Sequence, residues 1–317
     1  MRTLVGAAIA LAFVVIVAGG YVRLSDAGLG CPDWPLCYGH PLPNEIADPG
    51  ALAKAWKEMG HRYLAGTLGI LIFFIAALAV RTKRSPALAV ALVAVVVFQA
   101  TLGMWTVTML LKPAIVTGHL LGGMTTLALL VWLFLREGDS APSPAPRALR
   151  ILGGVALAVL AVQIALGGWV SSNYAALACP DLPACMGQLM PPMDFANAFH
   201  VVRELGRTGE GELLSLPALT AIHWTHRMFA IAAFVAIGAA ALKALKHRAA
   251  RGAAMAVLAL LLVQVSLGVA NVALSLPLGL AAAHNAGAAL LLAALVVLNF
   301  SLFRGAPSSS RVSPRAS

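Results

Sequence analysis

Four histidines of this sequence recur at matched positions inside long apolar stretches. His61 and His226 each precede an arginine, Arg62 and Arg227, and lie 165 residues apart; His119 in TGHLLGG and His284 in AAHNAG are separated by the same 165. A lone imidazole in an apolar helix is as readily a hydrogen-bonding group between helices as a ligand. Four at repeat-matched positions point to ligation, because polar groups at that depth are expensive and usually functional. In a helical bundle, one histidine from each of two facing helices can take an iron from opposite sides. The natural pairs are His61 with His119 and His226 with His284. Two imidazoles are too few for a closed tetrahedral zinc site. Gly118, Gly122 and Gly123 beside His119, and Ala281, Ala282, Ala283, Ala286 and Gly287 around His284, leave room for a flat macrocycle, or equally for close helix packing. Heme is therefore the expected ligand. Arg62 and Arg227 at the outer boundary are candidates to pair with its propionates, or with lipid phosphate. His40, His200 and His247 fall in loops and read as surface residues.

Glu58 precedes His61 by three residues, so it shares its helical face about one turn nearer the surface. The matching position in the second half is His223. A carboxylate beside one bis-histidine site only, in an otherwise kept repeat, favours a catalytic role: accepting a proton or stabilising a developing cation. The cysteines form two CPDxPxC pairs, Cys31 with Cys37 and Cys179 with Cys185. In an oxidising compartment each pair is expected to close as a local disulfide staple, the alternative being a thiol pair that exchanges electrons with a partner. Gln99, Gln163 and Gln264 read as hydrogen-bonding glue between helices.

The elements that must position these groups are membrane helices. Hydrophobic residues make up 60% of 317 positions, charged residues 11%, and the mean hydropathy is +0.88. Such a chain has too little charge to cover a soluble surface. Apolar stretches long enough to cross a bilayer fall at roughly 3–23, 58–80, 87–108, 115–135, 150–171, 220–243, 252–274 and 280–303. Arg2 before the first stretch resembles the start of a signal peptide, but the stretch has a counterpart in the fifth span and is expected to remain as a helix. With the N-terminus, the loops after spans two, four and six, and the C-terminal tail on one side, that side carries 14 of the 22 Lys and Arg and the acids Glu137 and Asp139 alone. The positive-inside rule makes it cytoplasmic, so the cysteine loops face outward. The absence of a transit-peptide pattern favours a bacterial cytoplasmic (inner) membrane. The basic residues sit in short clusters between apolar runs, and no basic patch with interleaved aromatics is present to bind nucleic acid.

The chain is duplicated. GGYVRLSDAGLGCPDWPLC from Gly19 and GGWVSSNYAALACPDLPAC from Gly167 share an offset of 148, which becomes 165 from the histidines onward because the second outer loop is longer. Each half has an even number of spans, so the halves share one orientation. The expected fold is an all-α polytopic membrane protein of eight transmembrane helices. They form two tandem four-helix bundles related by a pseudo-twofold axis along the membrane normal. The expected divisions are 1–135, a cytoplasmic linker 136–149 with its PSPAP run, 150–303, and a disordered tail 304–317.

Together, CPDWPLC, EMGHR from Glu58 to Arg62, TGHLLGG, CPDLPAC with MGQLMPP, IHWTHR and AAHNAG resemble the heme A synthase (CtaA) family from the first span through the eighth. The resemblance implies a resident b-type heme in the second half with His226 and His284 as axial ligands. It implies that heme O enters the first half as substrate, with His61 and His119 meeting its iron and Glu58 as the family's acid. The implied reaction oxidises a porphyrin methyl group to a formyl group, giving heme A for terminal oxidases. Implied partners are heme O synthase, the cytochrome oxidase assembly route, the lipid bilayer and an electron acceptor. The residues leave two other readings open: a di-heme b-type cytochrome for electron transfer, which would not need Glu58 in one half only, and a quinone-coupled disulfide oxidoreductase, which would not need the histidines. A heme carrier without turnover would bind the same ligand.

Overall fold

The structure, a computed structural model, describes residues 1–44, 46–138 and 144–304. Its elements are α1 (Arg2–Leu24), α2 (Pro49–Thr82), α3 (Pro86–Thr108), α4 (Pro113–Arg136), α5 (Arg147–Ser172), a short α6 (Phe195–Ala198), α7 (Leu216–Ala244), α8 (Arg251–Ala273) and α9 (Leu278–Arg304). The eight long helices are each long and apolar enough to cross a membrane, as the hydropathy pattern predicts. Among the described residues, β-pairing is confined to isolated bridges in the two long loops, such as Cys37 with His40 and Cys185 with Gln188.

Local chemistry explains where helices start. Asp48 caps α2 by accepting the Ala51 amide, and Pro49 follows in the first turn, where its missing N–H costs nothing. Ser215 and Pro217 begin α7 in the same way. These caps correct one boundary. α2 starts nine residues before the apolar stretch expected at 58, so His61 stands in the fourth turn of its helix rather than opening it. The linker is also shorter than 136–149, since α5 begins at Arg147; its residues 139–143, and the tail from 305, lie outside the described residues.

In the first half α1 packs on α2 and α4, and α3 packs on α2 and α4; in the second, α5 packs on α7 and α9, and α8 packs on α7 and α9. The halves meet where α1 and α4 face α5 and α9. One continuous core runs through both, with Ile16, Ile72, Leu127 and Leu130 on one side and Leu160, Ile237, Leu291 and Leu295 on the other. α9 is the innermost helix, with 56% of its most apolar stretch buried, against 17% for α3 and α8 at the lipid-facing flanks. Lipid removes the hydrophobic drive for helix association, so close approach at small residues must do more of the work. Ala240, Ala241, Ala244 and Ala254 are accordingly fully buried.

Polar contacts stitch the halves at the end that carries the cysteine loops. Arg23 donates to the Ser171 carbonyl at 2.8 Å and lies 3.9 Å above the Tyr174 ring, while the Tyr174 hydroxyl donates to Asp26 at 2.9 Å. Arg23 and Ser171, and likewise Asp26 and Tyr174, are separated by the loop offset of the repeat, so each residue meets its own counterpart. Arg23→Ala removes both the carbonyl bonds and the ring contact. We expect it to destabilise the detergent-solubilised protein by about 1–3 kcal/mol, read as a lowered thermal midpoint; an unchanged midpoint would show that the halves do not depend on this contact.

Candidate functional site

The four histidines face one another across the interior of each half, His61 on α2 opposite His119 on α4, and His226 on α7 opposite His284 on α9. In the first half the His61 and His119 rings stand 6.4 Å apart between centroids, with planes at 86°. In the second half His226 and His284 hold the matching places on α7 and α9. Each ring edge rests in a notch made by a glycine on a neighbouring helix. A Cβ placed on Gly19 would lie 2.8 Å from His61 Cε1, and one on Gly103 3.0 Å from His119 Cε1. In the second half the matching distances are 3.1 Å from Gly167 to His226 and 3.2 Å from Gly268 to His284. Any side chain larger than glycine would push the ring.

The glutamines reach the same histidines. Gln99 Nε2 donates to the His119 carbonyl; Gln163 Nε2 lies 3.3 Å from His226 Nδ1 and 3.3 Å from its carbonyl; Gln264 Nε2 lies 3.4 Å from His284 Nε2. Gly122 and Gly287 make space for the amides, since a Cβ at either would collide with Oε1 of Gln99 or Gln264. Those two glycines therefore admit a glutamine head, rather than leaving the open slot that their size suggests in sequence.

Do these residues fit a heme? Nδ1 of His61, His119 and His284 is buried with no hydrogen-bond partner, a costly state that a ligand or its consequences must relieve. Two metal–imidazole bonds of about 2 Å place ring centroids roughly 6 Å apart, which agrees with the separation in the first half. Among the described residues, no cluster of three or more His, Cys, Asp or Glu side chains is arranged to hold a metal ion. Paired imidazoles suit an iron whose remaining ligands come from a macrocycle. The donor set fits.

Glu58 is buried, 4% exposed, and both its oxygens are engaged: Oε2 accepts the Cys31 amide at 2.9 Å and Oε1 pairs with Arg62 at 2.5 Å. Its counterpart His223 does the same for the second loop, with Nδ1 3.3 Å from the Cys179 amide. Position 58/223 is thus an anchor for the cysteine loop in both halves, and the halves differ in its charge. Arg62 donates to the carbonyls of Asp33 and Leu36, at 3.0 and 2.8 Å; Arg227 donates to those of Cys179, Asp181 and Ala184, at 2.9, 2.9 and 3.0 Å. Heme propionate or lipid phosphate was the partner expected from sequence; the structure adds the loop carbonyls as partners of both guanidinium groups.

The loops are built alike. Cys31–Cys37 and Cys179–Cys185 are disulfides, and their four residues are at most 1% exposed. Both loops have cis peptide bonds, at Trp34–Pro35 and Leu182–Pro183. Asp33 accepts the amides of Tyr38 and Gly39, and Asp181 those of Met186 and Gly187. The Gly187 and Met186 amides hold the Asp181 carboxyl below its ordinary range; at Asp33, burial pushes the other way and the Gly39 and Tyr38 amides prevail. Sequence reasoning located the histidines, Glu58 and the cysteine pairs. It missed the ring-bearing glycines, whose signal was the QxxLG spacing that places a glutamine and a glycine one turn apart.

Comparison with known proteins gives a consistent result. The family described as cytochrome oxidase assembly protein, COX15-CtaA, matches residues 2–296. A Shewanella oneidensis protein named heme A synthase is 43% identical over 94% of this chain and 96% of its own length. Proteins of the same name from Rhizorhabdus wittichii and Halalkalibacterium halodurans are 28% and 29% identical, covering 90% and 68% of this chain and 89% and 73% of their own.

The buried sulfurs predict that neither disulfide reacts quickly with a water-soluble phosphine. Arg62→Ala frees the carbonyls of the first loop, and the loss of one or two charged hydrogen bonds should speed its reduction by about tenfold or more. Labelling of Cys31 and Cys37 by an alkylating reagent measures this; equal rates in both proteins would show that Arg62 does not hold the loop shut.

Proposed function

The chain belongs to the COX15-CtaA family of cytochrome oxidase assembly proteins, and on that premise we propose that it is a heme A synthase, an oxidoreductase with heme O as substrate and heme A as product. The observation that carries the site assignment is the difference between the halves. Both have a cross-helix histidine pair under a disulfide loop. One has the Glu58–Arg62 ion pair at the loop anchor, and the other has His223.

In this reading residues 1–135 form the substrate half, with His61 and His119 meeting the iron of heme O. Residues 150–303 form the resident half, in which His226 and His284 would hold a b-type heme. That heme supplies one-electron redox chemistry. The halves are read as related by a twofold axis along the membrane normal, supported by the contacts of Arg23 and Asp26 with their own counterparts. Glu58 is the catalytic carboxylate: paired with Arg62 at the loop end of the substrate half, it is placed to take a proton or stabilise positive charge as the methyl carbon is oxidised. Arg62 holds that carboxylate in place. Arg227 retains a buried Nε without a partner, the donor best able to meet a propionate in the resident half. Electrons leave to an acceptor outside the chain.

The basic residues gathered at one end of the bundle and the disulfides at the other support a bacterial inner-membrane location with cytoplasmic termini and outward cysteine loops. Heme O synthase, as the source of substrate, and the oxidase assembly route, as the destination of product, are the partners this reading implies.

Co-expression with a source of heme O, followed by chromatography of extracted hemes, tests the function: heme A together with protoheme is expected, whereas protoheme alone at two per chain favours the electron-transfer cytochrome. Glu58→Gln keeps an acceptor for the Cys31 amide and removes the charge. It should retain both hemes while heme A formation falls about 100-fold or more. Undiminished heme A in that variant would remove Glu58 from the chemistry.

A further inference from the structure

Every histidine of the two pairs is met by two residues four apart on a neighbouring helix. On α3 they are Gln99 and Gly103, facing His119; on α8, Gln264 and Gly268, facing His284; on α5, Gln163 and Gly167, facing His226. On α1 the glycine is kept as Gly19, facing His61, but the position one turn before it is Val15. Offset by 148, Val15 is the counterpart of Gln163. Three histidines thus have a side-chain amide beside them. The fourth, His61, has the aliphatic Val15 at that position and no side-chain amide.

An imidazole that gives one nitrogen to an iron carries its proton on the other, and that proton needs an acceptor. The Oε1 atoms of Gln99, Gln163 and Gln264 are buried without a partner. A rotation of the amide exchanges its oxygen and nitrogen, and the two are assigned by their surroundings. The amides of Gln163 and Gln264 stand 3.3 and 3.4 Å from a ring nitrogen, so each can offer an acceptor to its histidine, whereas Gln99 reaches the His119 backbone carbonyl. The Gln163 amide is within 3.5 Å of both ring nitrogens of His226, so it serves the ring whichever one binds iron.

We propose that the residue at position 15/163 sets how long a histidine keeps its heme iron. Gln163 is a positioning residue that makes the His226–His284 site retentive. Val15 leaves His61 as the weakly supported ligand, so that the first site takes up one iron porphyrin and releases another. This rests on the reading of His61 and His119 as the substrate pair.

The test uses the full-length purified protein carrying protoheme and heme O, challenged with apomyoglobin as heme acceptor, with each transferred heme identified by chromatography. Val15→Gln should slow heme O release about tenfold, and Gln163→Met, of nearly equal volume, should speed protoheme release about tenfold, the range expected for one buried hydrogen bond. Each should leave the other heme's rate unchanged. Gln163→Met should also raise the reduction potential of the protoheme, because a ligand histidine that loses its acceptor donates less charge to the iron; a purely packing role predicts no such shift. Val15→Met controls for bulk. If it slows release as much as Val15→Gln, or if neither Val15→Gln nor Gln163→Met moves its rate, the proposal is wrong. His119→Ala and His284→Ala separate the two claims: loss of heme O from His284→Ala rather than from His119→Ala overturns the site assignment itself.

Discussion

Four half-buried imidazoles set among apolar helices create the constraint around which this protein is built. A polar ring inside a bilayer is tolerated when its position is enforced and its nitrogens have a use. The fold meets both conditions by setting the histidine helices opposite each other, α2 across from α4 and α7 across from α9, and by letting the flanking helices α1, α3, α5 and α8 approach closely. The glycines at 19, 103, 167 and 268 are the points of approach, and a methyl group at any of them would meet a ring carbon within 3.2 Å. The helix-to-helix spacing, the small buried residues and the position of the glutamines all follow from placing those rings. The lipid-facing flanks of α3 and α8 are free to be merely apolar.

The loop-side ends of α2 and α7 carry a second constraint. Residues 58 and 223 accept an amide from the first cysteine of each loop, and the arginine four residues on, Arg62 or Arg227, binds the loop's carbonyls. The disulfides close each loop, and the arginines fasten it to the helix that holds a histidine. Buried sulfur and fully engaged carbonyls favour the staple over an exchanging thiol pair. Within that shared frame a single change of residue type, Glu58 against His223, sets the electrostatics of the two halves apart.

Much of this was legible in sequence because it rests on period and repetition. Eight apolar stretches, two offsets and four matched histidines survive any detail of side-chain packing. The start of α2 was not legible, because a polar helical extension is invisible to hydropathy and is decided by Asp48 and Pro49. The partners of Arg62 and Arg227 were not legible either: a cation near the membrane surface has several plausible anions, and only the fold brings the loop carbonyls to it. Gly122 and Gly287 show the same limit. Their smallness signals that something approaches closely, but whether that is a macrocycle or a glutamine is a matter of three-dimensional placement.

The central claim is that the four histidines act as two cross-helix pairs, each closing on one iron. Electron paramagnetic resonance of the oxidised, heme-loaded protein tests it most directly. Two distinct low-spin ferric signals are predicted, with His61→Ala or His119→Ala converting one of them, and His226→Ala or His284→Ala the other, to a high-spin form. A single signal lost in all four variants, or high-spin iron in the unaltered protein, would contradict the pairing.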